Sequence, residues 1–578
     1  METFNGITVS RGINIGPVYQ FRHLSLDFER ITVTDRKSEW RRFNKAVETT
    51  KNKLQTTYDK AVAEIGTDEA AIFHAHLMIL DDPDLVDGTQ SLIMDEGLNA
   101  EAALTDVAEQ YCDMLREIDD EYIQARVLDI QDVRNSVIAQ LLGLGDDAGI
   151  EVKEPSIILS RDLTPSDTVS IQKAMIEGFA TIEGGTTSHT AILSRSMGVP
   201  ALVQLPEAIE EIENGTIVII DGYSGKLIVD PTEETIQHYR EIREAKMKIL
   251  GEAQSHAKEP AVTKDGHRVE IFVNIGSDSP EDIKEALEKG AEGVGLLRSE
   301  FIYLNMEKMP DEKTQYEKYS NVVKGFNGNP VILRTLDIGG DKQLPYLEMP
   351  YEMNPFLGVR GIRLCLRNPE LFKRQLSAAL RAGNDGNLRI MFPMVAKISE
   401  IRAARELIEE VSKELAAEGI SVRNDIPIGA MVEIPAAAVM AEKLAQEVDF
   451  FSIGTNDLTQ YTIAVDRTNG NLADLANAFD PAVLRLINNV TKSAHKYGKM
   501  VGVCGELGGD PIAIPILVGI GLDELSMNAP AIPLAKAIIR ELNKADMEKL
   551  AEEVLDLESP ADVKAHVLKA VPMIGQLS

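Results

Sequence analysis

Apolar positions recur along this chain with more than one period. Near its start, Ile7, Val9 and Ile13 are punctuated by Gly6, Gly12 and Gly16, which predicts β-structure over residues 1–20. From about Ser38 to Leu142 the spacing lengthens to three and four, as in the stripe Leu104, Val107, Tyr111 and Leu115. No strand-like alternation interrupts that stretch, so it reads as several long helices. Strand signals return at Ser156–Leu159, Gly178–Ile182 and Gly215–Gly222, with helical stretches such as Ala191–Met197 between them. The pattern predicts an α/β domain made of residues 1–20 and 145–230. A helical subdomain, 21–144, is inserted after its first strands. A charged helix, about Glu233–Ala257, reads as a linker within 231–260.

From about Val262 strand and helix alternate. Candidate strands are Glu270–Asn274, Gly293–Leu297, Val331–Thr335, Arg389–Pro393, Ile428–Glu433, Phe450–Ile453, Met500–Cys504 and Glu524–Ser526. Amphipathic stretches such as Glu400–Ala417 and Ala482–Tyr497 separate most of them. About eight βα units over roughly 300 residues match a (β/α)8 barrel of the TIM type, here 261–578. An open doubly wound sheet is the alternative, but no Gly-x-Gly-x-x-Gly turn follows the first strand. The fold class is therefore a multidomain α/β chain.

Composition narrows the function. At 578 residues the chain exceeds a single core, and its apolar fraction of 44% is ordinary for a globular protein. The start, Met1-Glu2-Thr3-Phe4-Asn5, lacks a secretory pattern, and no apolar run reaches membrane-spanning length. Cys112, Cys365 and Cys504 have no paired spacing, against a disulfide framework or zinc site. A cytoplasmic location with reduced thiols is expected. The net charge of −33 argues against nucleic acid and anionic membranes as partners. Residues 61–115 hold no Lys or Arg, while Asp81, Asp82, Asp84 and Asp87 cluster there. Such a face is either simply solvated or a dock for a basic partner.

Candidate chemistry lies at two places. In Gly184-Gly185-Thr186-Thr187-Ser188-His189-Thr190, paired glycines permit a tight turn and the hydroxyl residues supply helix caps. His189 thus stands at a predicted helix N-terminus, where free N–H groups favour an anion. A neutral imidazole is a nucleophile toward phosphorus, and its phosphorylated form would sit in that field. A lone histidine there would be read as a cap; the surrounding glycines and hydroxyls favour the chemical role. The turn Leu163–Thr168 is a second hydroxyl-rich segment placed to hold the imidazole in one tautomer. In the barrel region, Glu433 and Asp457 close adjacent predicted strands and, flanked by Asn456, suit Mg2+. Arg298, Arg334 and Arg360 each follow an apolar strand-like run, and Arg467 follows Ala464-Val465-Asp466. Arginines in that pattern suggest a multi-oxygen anionic substrate. Cys504, at another strand end, is either a small buried hydrophobe or a general acid.

The segment Gly184–Ser196 around His189, together with Asp449-Phe-Phe-Ser-Ile-Gly-Thr-Asn-Asp457-Leu-Thr-Gln-Tyr, resembles the paired signature of the phosphoenolpyruvate (PEP)-utilising enzymes. Over essentially the whole length the chain resembles the enzyme I branch of that family, which serves the bacterial sugar phosphotransferase system. The resemblance implies a phosphotransferase with a nitrogenous acceptor. It implies that His189 carries the phosphoryl group on Nε2, supported by Thr168, and that Glu433 and Asp457 bind Mg2+. It further implies that Arg298, Arg334, Arg360, Asn456, Asp457 and Arg467 hold PEP, and that Cys504 protonates the enolate to pyruvate. The helical subdomain would dock the phosphocarrier protein HPr, and the barrel would form a homodimer. Pyruvate phosphate dikinase and PEP synthase share both motifs, but His189 lies too early to leave room for an ATP-grasp domain. A regulatory scaffold with a decayed barrel would require a gap in the constellation, and none is visible.

Overall fold

A computed structural model of the chain describes residues 1–578 except 23–25, 65–66, 117–120, 145–151, 153, 164–166, 168–174, 186–188, 305, 307, 341–343, 345, 348, 350–351, 424, 467–471, 473–474 and 576–578. The chain divides into two compact units, Met1–Glu244 and Ala245–Ser578.

The first unit is built on one mixed sheet. Its strands are β1 (Glu2–Asn5), β2 (Ile7–Ser10), β3 (Ile13–Gln20), β4 (Ser156–Ser160), β5 (Ile176–Thr181), β6 (Ala201–Val203), β7 (Ile217–Asp221) and β8 (Lys226–Val229). They lie in the order β1-β8-β7-β3-β4-β5-β6-β2. Ile157, Ile158 and Leu159 of β4 are all fully buried, so the sheet is covered on both faces there, which explains the continuous apolar run. β3 and β4 are parallel neighbours, although the helical block lies between them in sequence. That block comprises helices Arg36–Glu64, Thr67–Leu80, Pro83–Ser91, Ala100–Arg116 and Glu121–Leu141. Phe43, Phe73, Leu80, Ile93, Leu104 and Val137 pack in its own core. Arg42 ties the first of these helices to the fourth through Glu101 at 2.7 Å. The short strands β6 and β8 were not among the predicted elements.

The second unit is a closed barrel. Strands β10 (Arg268–Ile275), β11 (Val294–Arg298), β12 (Val331–Arg334), β13 (Leu388–Phe392), β14 (Ile428–Val432), β15 (Phe450–Ile453), β16 (Met500–Val503) and β17 (Glu524–Met527) follow one another around it. All neighbours are parallel, and β17 and β11 both pair with β10, which closes the ring. A short strand, β9 (Ala261–Val262), runs antiparallel to β10. Leu296, Ile332, Met391, Met431, Phe450 and Cys504 form an apolar cluster of their own, separate from the larger core packed beneath the helices. This is the layered filling of a barrel interior. All eight barrel strands predicted from the sequence are present. One expectation fails in detail: no strand precedes Arg360. Pro355–Leu357 form a 3-10 turn and Arg360 lies in the loop after β12. Pro355 and Gly358 break the apolar run, and Glu352 accepts the Val359 N–H instead of a neighbouring strand. Among the described residues no helix is long and apolar enough to cross a membrane.

Candidate active site

In the first unit, Gly184 takes a left-handed φ of +104°, a conformation that favours glycine. His189 then opens the helix His189–Met197, so its backbone stands in the first turn as the sequence suggested. Its imidazole, the hydroxyl residues 186–188 and Thr168 lie outside the described residues.

In the barrel, Arg334 is the last residue of β12 and is buried. One of its nitrogens donates to Glu300 Oε1 at 3.0 Å, and another lies 3.0 Å from Asp337 Oδ2. Arg360, also buried, binds Asp337 through two nitrogens, each at 2.9 Å, and reaches Asp457 Oδ1 at 2.8 Å. Asp337 is thus the hinge of the cluster, clamped between both guanidinium groups. Glu433 follows β14, 1% exposed, and accepts the Met394 backbone N–H. Asp457 sits in the first turn of helix Thr455–Ile463, after the adjacent strand β15. The structure therefore joins Arg334, Arg360 and Asp457 in one bonded network with Glu433 beside it. Asn456 is half-buried and accepts the Glu506 N–H at 3.3 Å. Arg298 ends β11 with an exposed side chain, and Arg467 lies outside the described residues.

Asp337, Glu300 and Tyr461, whose hydroxyl lies 3.4 Å from Arg360, were not among the sequence candidates. A signal existed for two of them: Glu300 and Asp337 lie two and three positions after strand-end arginines.

The electrostatics are lopsided. Burial opposes charge on Arg360, yet the Asp337 and Asp457 carboxylates outweigh it and hold its pKa above the ordinary value. Glu433 is pushed up to about 8, first by burial and then by Asp457 and Asp337, against the opposing pull of Arg360 and Arg334. Four carboxyl groups (Glu300, Asp337, Glu433, Asp457) face two buried guanidinium groups. Glu433 and Asp457 are hard oxygen donors short of positive charge, so they fit a divalent cation. Arg334 Nε and Glu300 Oε2 are buried without a hydrogen-bond partner, leaving donor and acceptor capacity unused.

Cys504 follows β16, 4% exposed, with Sγ 3.7 Å from the Ile453 carbonyl. Burial pushes its thiol up to about 12. A thiol so held stays protonated at neutral pH and is suited to give a proton rather than to attack.

Comparison with known proteins agrees with this architecture. Residues 5–126 match the PEP-utilising enzyme N-terminal domain, 152–225 its mobile domain and 251–544 its PEP-binding domain. The phosphoenolpyruvate-protein phosphotransferase of Priestia megaterium is 46% identical over 562 residues, 97% of this chain and 98% of that protein. The chain belongs to the PEP-utilising enzyme family. Within it, the phosphoenolpyruvate-protein phosphotransferases of Bacillus subtilis and Staphylococcus carnosus are 44% and 45% identical, covering 98% and 97% of this chain and 99% and 98% of theirs. The segment of this PEP-utilising enzyme that matches the mobile domain contains His189, and the segment that matches the PEP-binding domain contains the whole charged cluster.

Proposed function

We propose that this chain is a phosphoenolpyruvate-protein phosphotransferase that takes the phosphoryl group of PEP onto His189, releases pyruvate, and passes the group to the histidine of the phosphocarrier HPr. This is the first step of uptake by the sugar phosphotransferase system. The observation that carries the reading is the buried Arg334–Asp337–Arg360–Asp457 network at the C-terminal ends of the barrel strands, where such barrels place their chemistry. Arg334 and Arg360, with Arg298, Asn456 and Arg467, hold the substrate oxygens. The unpartnered Nε of Arg334 offers a donor already oriented by its carboxylates.

Glu433 and Asp457 would hold Mg2+, which when bound offsets negative charge on the substrate oxygens. The backbone of the first turn at His189 offers N–H groups to the phosphorylated imidazole, and Thr168 supports the ring. Cys504 gives its proton to C3 of the enolate, which completes pyruvate and leaves a thiolate. We place the activity in the cytoplasm. The helical subdomain, with its acidic face, is the dock for HPr, and the barrel pairs as a homodimer, for which the exposed Met353, Leu357 and Val439 supply apolar surface. The proposed division is 1–20 with 145–230 for the phosphohistidine domain, 21–144 for docking, 231–260 for the linker and 261–578 for PEP.

The test is incubation with labelled PEP and Mg2+. The wild type is expected to take up acid-labile, base-stable label, and His189→Ala none while keeping its far-UV circular dichroism. Undiminished labelling of the variant would overturn the assignment.

A further inference from the structure

Of the side chains that hold the charged cluster in place, one reaches it from the ring of helices outside the strands. Helix Pro369–Ala382 buries an apolar stripe, Leu371, Phe372, Leu376 and Ala379, in the core around the barrel. Gln375 lies on that same stripe and is fully buried. An amide in such a place is unfavourable unless its polar atoms are bonded. Here Oε1 accepts the Leu336 N–H at 2.9 Å, and Nε2 donates to Ser299 Oγ at 3.2 Å and to the Tyr319 hydroxyl oxygen at 3.0 Å. The three bonds engage the carbonyl and both N–H groups. Because the Leu336 N–H can only donate, the amide has one orientation.

These partners belong to three elements. Tyr319 is on the helix Glu312–Gly325, whereas Ser299 follows β11 and Leu336 follows β12. The pairing of β11 with β12 ends at Arg298 and Arg334, so the two loops leave the ladder that fixed their spacing. Gln375 bridges them where the ladder stops. The next residue of each loop completes the joint: Glu300 Oε1 accepts the Asp337 N–H and an Arg334 nitrogen, each at 3.0 Å. The consecutive N–H groups of Leu336 and Asp337 are therefore held by Gln375 and Glu300, and Asp337 presents its carboxylate to Arg334 and Arg360. With its bonds spent on Leu336, Ser299 and Tyr319, Gln375 acts on the arginines only through the loops.

We propose that Gln375 is a positioning residue for PEP binding. By fixing the loops after β11 and β12 against each other, it sets where Arg334 and Arg360 offer their guanidinium groups to the substrate oxygens. The inference rests on the reading of this cluster as the PEP site. Donors held in advance receive an anion without reorganising, and a misplacement of about 1 Å can cost about a hundredfold. Loss of the bridge therefore falls on the binding of PEP.

The test uses the full-length enzyme with HPr as acceptor, well below the melting temperature of each variant. Gln375→Met keeps the length of the side chain and removes its polar atoms. The KM for PEP is expected to rise roughly tenfold or more, with kcat within about threefold of wild type, the pattern of lost substrate binding. Ser299→Ala and Tyr319→Phe separate positioning from support, and they cover a Gln375→Met chain that does not fold. Each deletes one hydroxyl that accepts from the same nitrogen, but only Ser299 lies on a loop of the site. The rise in KM should be at least about threefold greater in Ser299→Ala than in Tyr319→Phe. Equal KM values in those two variants, or a wild-type KM in Gln375→Met, would mark a structural role and overturn the proposal. A wild type that takes no label from PEP would instead overturn the reading of the cluster as the PEP site.

Discussion

The mouth of the barrel and its interior treat buried charge in opposite ways. At the mouth, Asp337 is clamped by both Arg334 and Arg360, and Arg360 reaches on to Asp457, so the guanidinium groups keep their charge despite burial. One layer below, Glu524 is equally buried, but no partner neutralises it and it is held as an acid. The difference teaches what each level is for. Charges locked in geometry are preorganised to receive an anion without reorganising, whereas a lone carboxyl buried without a hydrogen-bond partner stays protonated.

Removing the clamp should have the largest effect. Asp337→Ala takes from both buried guanidinium groups the carboxylate they share, leaving Arg334 with Glu300 and Arg360 with Asp457, and breaking a buried pair by deleting one partner costs about 3–5 kcal/mol. We expect a loss of that order in urea denaturation, with PEP-dependent labelling down at least about a thousandfold, since both arginines lose their orientation. A variant with wild-type labelling would show that the arginines are positioned without Asp337. The next effect is pH-dependent. Glu433 titrates near 8 in the folded, metal-free protein and near the ordinary 4.5 when unfolded. A raised carboxyl pKa means the folded state holds the proton longer, so this stability is full below about pH 4.5 and is lost as pH rises through about 8. The slope approaches ~1.4 kcal/mol per pH unit in that window. Thermal denaturation in EDTA should therefore lose stability from pH 6 to 8, and Glu433→Gln should flatten that trend. Added Mg2+ should restore the stability of the wild type alone. Identical curves for the two proteins in EDTA would remove Glu433 as the cause.

Much of this architecture was legible because a parallel barrel strand buries both faces and so appears as a short apolar run bounded by turns. Ile332-Leu333-Arg334 and Met431-Val432-Glu433 announce both a strand and the side chain at its end. Residues held by tertiary partners were harder. Leu357-Gly358-Val359-Arg360 imitates a strand end, yet Arg360 arrives from a loop held in place by Glu352 and Asp337. Asp337 itself gives no periodic signal; its importance lies in two guanidinium groups that only folding brings to it. β6 and β8, of three and four residues, were not read from the sequence, although barrel strands as short as β12 were. Glu524 sat in plain view at the start of the last barrel strand. An acid at a strand start normally faces solvent, and only the glycines of neighbouring strands reveal that this one turns inward.

The smallest predicted effect tests that inward turn directly. Gly502 has an ordinary strand backbone, so alanine there is conformationally acceptable, and replacing a strand glycine should by itself stabilise the barrel by about 0.5–1 kcal/mol. Against this, an added Cβ would collide with Glu524 Oε2 and lie 2.8 Å from Cδ and 3.2 Å from Cβ of Glu524. Rotation of the carboxylate alone cannot clear all of these, because the Glu524 Cβ is fixed to its strand. Overpacking of a filled core typically costs about 1–3 kcal/mol, so the net change for Gly502→Ala should be a loss of roughly 1–2 kcal/mol. Glu524→Ala in the same chain removes the colliding atoms and should recover most of that loss. A double-mutant cycle is therefore expected to show coupling of at least about 1 kcal/mol between the two positions. If Gly502→Ala instead stabilises the protein and the coupling vanishes, the Glu524 carboxyl has room to leave its place over Gly502. The interior would then lack the fixed geometry that sets it apart from a simple buried acid.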